Sequence, residues 1–147
     1  MDLQDLQNKL YEKIPITKMM GFEIISFDKY ALLTKIPLDL NINDKGTAFG
    51  GSLSSFATIS AWVLLELLIN EHQENHDILV IANLCNFKAP LTRDINCTVF
   101  TPPKEELLSL REKLNNKGIG SIKVNAQMSE AGEICFEYEG KYAVRKK

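Results

Sequence analysis

The strongest constraint on this chain is the run from Phe49 to Leu65, seventeen consecutive residues without a charge. The run opens on Gly50-Gly51, keeps five hydroxyls (Ser52, Ser54, Ser55, Thr58 and Ser60), and is closed by Glu66. A membrane span needs about twenty mostly apolar residues, so a run this short and this rich in hydroxyls is marginal as one. From about Phe49 to Asn70 apolar residues fall on nearly every helical face, which predicts a helix enclosed by other structure and no membrane span.

The flanking segments read as what encloses it. Leu3, Leu6, Leu10 and Ile14 recur at helical spacing and predict a short amphipathic helix that Pro15 interrupts. Two apolar stretches on either side of Asp28-Lys29-Tyr30 predict a hairpin from about Phe22 to Leu38, and Asp39 to Gly46 has loop composition. After the polar EHQENHD exit, Asp77 to Lys88 reads as a nearly continuous apolar strand, and Ile95 to Phe100 as the next. Pro102-Pro103-Lys104-Glu105-Glu106 opens a further helix with proline in its first turn and Leu107, Leu110 and Leu114 as its apolar stripe. Ile122 to Met128 and Ile134 to Val144 alternate apolar and polar residues about a tip at Ala131-Gly132. Such alternation predicts an antiparallel sheet with one wet face, and the long apolar helix is the cover for the other.

The 147 residues, 45% hydrophobic, fit one α+β domain spanning 1–147. A net charge of -2, spread along the chain, gives no electrostatic footprint for nucleic acid. Cys85, Cys97 and Cys135 are odd in number and lie in apolar segments, which predicts buried thiols in a reducing compartment. The acidic, amphipathic start MDLQDLQNKLYEK is unlike a secretory signal, so the expected location is cytoplasmic. His72 and His76 stand at helical spacing beside Glu71, Glu74 and Asp77, yet the segment reads as a solvated loop, and no metal or cofactor site is expected. Gly118-Ile119-Gly120 is too short for a dinucleotide fingerprint.

A sheet wrapped around one hydrophobic helix is the hotdog fold, and particular residues carry the same resemblance. Asn43-x-x-Gly46-x-x-Phe49-Gly50-Gly51 resembles the N-x-x-G-x-x-H-G-G pattern of PaaI-type hotdog thioesterases. More closely, IPITKMMGF, NINDKGTAFGGSLSSFATISAW and NFKAPLTRDI resemble the YiiD carboxy-terminal family of thioesterases, from about Ile14 to the end. The resemblance implies an enzyme acting on thioesters of coenzyme A or acyl carrier protein, assembled as a homodimer or a dimer of dimers, with sites built from both subunits. Many PaaI-type enzymes keep a carboxylate nine residues after the motif histidine. Here those positions are Phe49 and Thr58, and a neutral threonine is no general base near pH 7.

The physical reading of the same residues runs in parallel. A helix start leaves backbone N–H groups unpaired and carries positive partial charge, so amides at Gly50, Gly51 or Ser52 can hold the oxygen of a thioester carbonyl. Glycine there allows close approach, although Gly-Gly also suits a plain loop-to-helix junction. Asn43 either donates a second hydrogen bond or makes a turn. Ser54, Ser55 and Thr58 either line a tunnel or back-bond to carbonyls one turn earlier. Asn83 and Asn86 either face the opposite subunit's site or are satisfied polar groups of a strand edge. Trp62 is a candidate for closing the tunnel, and Lys88 and Arg93 for meeting phosphates or an acidic carrier. The candidate catalytic set is thus Asn43, Gly51, Ser55 and Thr58, and the candidate substrate-binding set Phe49, Gly50, Ser52, Ser54, Asn83 and Asn86. Three functions stay open. They are hydrolysis, which the family resemblance implies by default, decarboxylation of malonyl carrier protein to the acetyl primer of fatty-acid synthesis, which the same resemblance also implies, and binding without turnover. The missing carboxylate makes the second chemistry physically attractive, since it stabilises an enolate and activates no water, but the sequence does not choose between the two.

Overall fold

The computed structural model describes residues 2–70 and 75–147. The amphipathic start forms α1 (Leu3–Lys13), capped by the Asp2 carboxylate accepting from the Gln4 N–H, with Leu6 and Leu10 buried. Pro15 interrupts it as expected but also begins a second short helix, α2 (Pro15–Met19), because a first-turn proline needs no N–H partner. The hairpin is β1 (Glu23–Phe27) and β2 (Ala31–Ile36), its turn held by the Asp28 carboxylate accepting from the Tyr30 and Ala31 amides.

The long helix α3 (Gly50–Ile69) matches the expected span to within one residue at each end, with Phe49 and Asn70 as its caps. It is long and apolar enough to cross a membrane, but Leu53, Phe56, Ala57, Ala61, Leu64 and Leu65 are among eleven of its residues that are buried. Then follow β3 (His76–Phe87), β4 (Ile95–Phe100), α4 (Lys104–Lys117), β5 (Ile119–Glu130) and β6 (Glu133–Lys146). Pro102 and Pro103 stand outside α4 and not in its first turn, Pro103 being the N-cap. Ala131 and Gly132 both take positive φ, 52° and 79°, the backbone of a two-residue hairpin turn.

The six strands form one antiparallel sheet in the order β1-β2-β4-β5-β6-β3, and α3 packs on all of them except β1. Ile122, Val124, Ala126 and Met128 of β5 and Phe136, Tyr138, Tyr142 and Val144 of β6 turn inward, as the alternation predicts. Ile134 does not join them. The register shifts between Met128 and Ser129, so Cys135 is the extra residue of a bulge, its carbonyl accepting from both Lys88 and Ala89 N–H, and Ile134 turns outward. The β3 strand differs more from its expectation. Its apolar residues are mostly exposed, because it lies at the sheet edge with β6 as its only strand neighbour among the described residues.

Among the described residues the buried polar side-chain atoms are paired, Thr101 Oγ1 excepted. Thr34 Oγ1 and Ser60 Oγ lie 2.8 Å apart next to the Cys97 thiol, which burial pushes up to about 12. Under the middle of α3, the Tyr142 hydroxyl donates to the Thr58 carbonyl at 2.8 Å and lies 2.8 Å from the Tyr138 hydroxyl. Both rings reach over Gly140. A Cβ there would lie 2.5 Å from Tyr138 Oη and 2.6 Å from Tyr142 Cε1. Gly140→Ala therefore overpacks a sealed layer and should lower unfolding stability by about 1–3 kcal/mol. Denaturant unfolding of the variant checks this, and a midpoint equal to wild type would contradict the packing described.

Candidate functional site

The loop into α3 is held by its own backbone and side chains. Asn43 N–H donates to the Thr47 carbonyl at 2.8 Å, and Ile42 and Ala48 form an isolated antiparallel bridge. The Asn43 carboxamide completes the turn: Oδ1 accepts from the Lys45 and Thr47 amides at 2.8 and 3.0 Å, and Nδ2 donates to Thr47 Oγ1 at 2.9 Å. Gly46, the third motif position after Asn43, has φ 80°, a conformation that favours glycine. Asn43 therefore spends its hydrogen-bonding groups on shaping this loop.

What the loop delivers is a helix start without a cap. Phe49, at the N-cap, has no side-chain oxygen, and its own N–H donates to the Asn41 carbonyl at 2.7 Å. Leu53 N–H reaches the Phe49 carbonyl, whereas the amides of Gly50, Gly51 and Ser52 have no protein acceptor among the described residues. The glycines have distinct steric reasons. A Cβ on Gly50 would stand 3.3 Å from the Phe87 ring, and one on Gly51 only 2.5 Å from the Phe49 ring, which folds back over the first turn. The close approach inferred at Gly51 is thus made by the chain's own Phe49.

Beside this turn lies an open pocket of about 450 Å³. Ile16, Met19, Met20 and Leu40 form apolar walls, and Phe49, Gly51, Ser52, Ser55 and Asn41 complete it. Three of the candidate residues on α3 (Gly51, Ser52 and Ser55) therefore meet with Phe49 in one place. The Ser52 and Ser55 hydroxyls have no protein partner among the described residues.

The other candidates stand elsewhere. Ser54 Oγ donates to the Gly50 carbonyl at 3.1 Å and Thr58 Oγ1 to the Ser54 carbonyl at 2.8 Å, so both back-bond along the helix. Thr58 Oγ1 also lies 3.4 Å from the Tyr138 hydroxyl. Asn83 pairs in register with Gly140, on the face that Tyr138 and Phe136 share with α3. Asn86 pairs with Glu137 and so lies on the opposite, outer face, away from the pocket. Trp62 Nε1 donates to the Ile78 carbonyl at 3.0 Å, tying α3 to β3. Lys88 forms an ion pair with Glu137, and the Arg93 amide donates to Glu130.

Asn41 is the residue that sequence reasoning missed. It is 3% exposed and contributes to the pocket wall. The available signal was an asparagine between two apolar residues, Leu40 and Ile42, two positions before the motif asparagine.

A second cleft, of about 510 Å³, lies between α1, the far end of α3 and the start of β3, with Leu10, Trp62, Glu66 and His76 in its lining. It sits by the carboxy-terminal, electronegative end of the helix and is the wrong end for a developing oxyanion. Glu71, His72 and Glu74 of the candidate metal group lie outside the described residues. Of its other members, His76 Nδ1 is 3.1 Å from Asn70 Oδ1, and Asp77 pairs with Arg145 and Lys147. Among the described residues no three His, Cys, Asp or Glu side chains gather as a metal site. The cysteines are unbridged, and burial raises the thiols of Cys97 and Cys135.

Known proteins show the same architecture. A protein of unknown function from Chlorobaculum tepidum TLS is 29% identical, with a TM-score of 0.91 over 98% of this chain and 94% of that one. A protein described as a putative thioesterase, from Shewanella oneidensis, is 24% identical, with a TM-score of 0.84 over 99% and 97%. A probable thioesterase from Pseudomonas aeruginosa is 19% identical, with a TM-score of 0.83 over 98% and 96%. At these last two identities the likeness speaks for the fold, which is the hotdog. Residues 3–146 match the family described as "Putative thioesterase (yiiD_Cterm)", and the chain belongs to that family.

Proposed function

We propose that the chain acts on acyl thioesters of coenzyme A or acyl carrier protein, with the thioester carbonyl oxygen seated at the amino terminus of α3. The observation that carries this reading is the uncapped helix start, where the Gly51 and Ser52 amides border an open pocket. A helix amino terminus carries roughly half a positive charge, and unpaired amides aimed at a developing oxyanion stabilise it without reorganising. The apolar walls of Ile16, Met19 and Leu40 suit an acyl chain or the methylene arm of the carrier. Family membership favours hydrolysis. A second reading, decarboxylation of malonyl carrier protein to the acetyl form, is favoured by one feature: no residue lining the pocket is ionisable. An enolate needs the helix amides and no base, and a carboxylate beside the malonyl group would repel it.

The same reading includes a homodimer, the minimum for a dimer of dimers. The free edge of β3 presents unpaired backbone groups beside exposed Leu79, Val80, Ile81, Leu84 and Phe87. An apolar edge of this length recruits another strand, and a second copy of β3 in antiparallel register is self-complementary. The half-buried side of α3, bearing Ser55, Thr58 and Trp62, would then face the partner. Three unbridged cysteines fit a reducing, cytoplasmic setting.

Incubation with malonyl and longer acyl thioesters on both carriers, read by mass spectrometry, should yield free acid if hydrolysis operates and acetyl thioester if decarboxylation does. Unchanged substrate with measurable binding would instead favour a binding protein. Ser52→Pro removes one helix amide at a first-turn position, after a glycine that spares the pre-proline clash, and should lower kcat on the order of 100-fold with helix content preserved. Full turnover in that variant would remove α3 from the chemistry. Light scattering should find wild type at twice the chain mass of 16.6 kDa and Leu84→Lys at the single mass. A monomeric wild type with full activity would refute the shared interface.

A further inference from the structure

Asn41 is the buried polar side chain of the pocket wall, and its carboxamide has one orientation. Nδ2 donates to the Met20 carbonyl at 2.9 Å and to the Pro37 carbonyl at 2.8 Å. Exchanging nitrogen and oxygen would set Oδ1 against two carbonyl oxygens, so the amide is fixed as placed. Oδ1 itself has no hydrogen-bond partner among the described residues. It is not sealed away, since Thr101 Oγ1 is the sole buried and unpartnered side-chain atom among them, and Asn41 borders the pocket. Its backbone carbonyl meanwhile holds the Phe49 N–H at 2.7 Å, which ties the residue to the helix start.

The pocket therefore combines donors fixed by α3 with one fixed acceptor. A ligand satisfying both must offer an oxygen to the helix amides and an O–H or N–H to Asn41. A thioester carbonyl under attack by water offers that pair. We propose that Asn41 Oδ1 accepts a hydrogen bond from the attacking water and turns the water's lone pair toward the thioester carbon. This rests on the thioester reading above and adds the place of the nucleophile. The water oxygen bonds to the carbonyl carbon while the C=O π pair moves to the oxygen held by the helix. Collapse breaks the C–S bond, whose electron pair leaves on sulfur. One water proton ends on the thiol, and the other is lost to solvent from the new carboxylic acid. Asn41 exchanges no proton and acts by aiming the water.

Asn41→Ala also removes the bonds to Met20 and Pro37, so the test compares two nucleophiles in the same variant. Hydroxylamine attacks thioesters without needing its lone pair presented by an acceptor. On an acyl-CoA that wild type hydrolyses, Asn41→Ala should lower the hydrolytic kcat at least about tenfold, the order expected of lost positioning, with KM within about twofold. Acyl hydroxamate formation should stay within about twofold of wild type. Asn41→Ser, which keeps a donor for one of the two carbonyls, is read in the same way if the alanine variant does not fold. Equal loss of both reactions, unchanged hydrolysis, or a raised KM with kcat intact would each overturn the proposal. A wild type that only converts malonyl to acetyl thioester overturns the water's role and leaves the thioester reading standing. A wild type that turns over no thioester removes both.

Discussion

The structure depends on burying α3 while leaving its first turn open. Phe56, Ala57, Ala61, Leu64 and Leu65 are fully buried against the sheet, and a buried Leu or Phe contributes about 1.5–3 kcal/mol. An uncapped start forgoes about 1 kcal/mol relative to a Ser or Asp cap. Burial therefore exceeds the missing cap several times over, so α3 holds its conformation without a cap. The unpaired amides impose a further condition. Each would cost about 1–3 kcal/mol in a dry environment, so the turn that bears them must face water or a ligand. The pocket beside Gly51 and Ser52 meets that condition.

Two asparagines, two residues apart, divide the work around this opening. Asn43 uses both ends of its carboxamide on its own loop and so sets the path into Gly50. The Asn41 carboxamide uses only its nitrogen within the fold, and its oxygen has no hydrogen-bond partner among the described residues. The two residues reach the helix start by different routes. Asn43 acts through the Ile42 and Ala48 bridge, whereas the Asn41 carbonyl grips Phe49 directly. Phe49 in turn covers the first turn with its ring, and Gly51 leaves the space it needs.

The architecture was legible because its signals are periodic. Alternation in β5 and β6 and the uncharged run of α3 each report burial over many residues, and tertiary packing had only to agree with them. Local departures were not legible. The bulge that turns Ile134 outward depends on Lys88 and Ala89 both donating to the Cys135 carbonyl, a contact across some fifty positions of sequence. An edge strand looks like a central one in sequence, so the exposure of Leu79 to Phe87 followed only from the strand order. For the candidate pocket, spacing pointed to the helix start and its serines but could not tell which of two nearby asparagines would line it. That depends on which carbonyls lie within reach of each carboxamide.

The character of the pocket also bears on which bond it can break. Among the described residues that line it none is ionisable. Nothing there readily takes a proton from a nucleophile or gives one to a leaving group. A reaction in such a place must begin from an electrophile that is already reactive and end on a group that departs as an anion. Thiols ionise near pH 8.5, so a thiolate leaves without an acid to protonate it, whereas a departing alkoxide or amide ion demands one. A site made of amides, hydroxyls and one carboxamide oxygen is therefore matched to a thioester on both sides of the carbonyl. In the proposed reaction its contribution is placement of the oxygen and of its attacker, while the substrate supplies the reactivity.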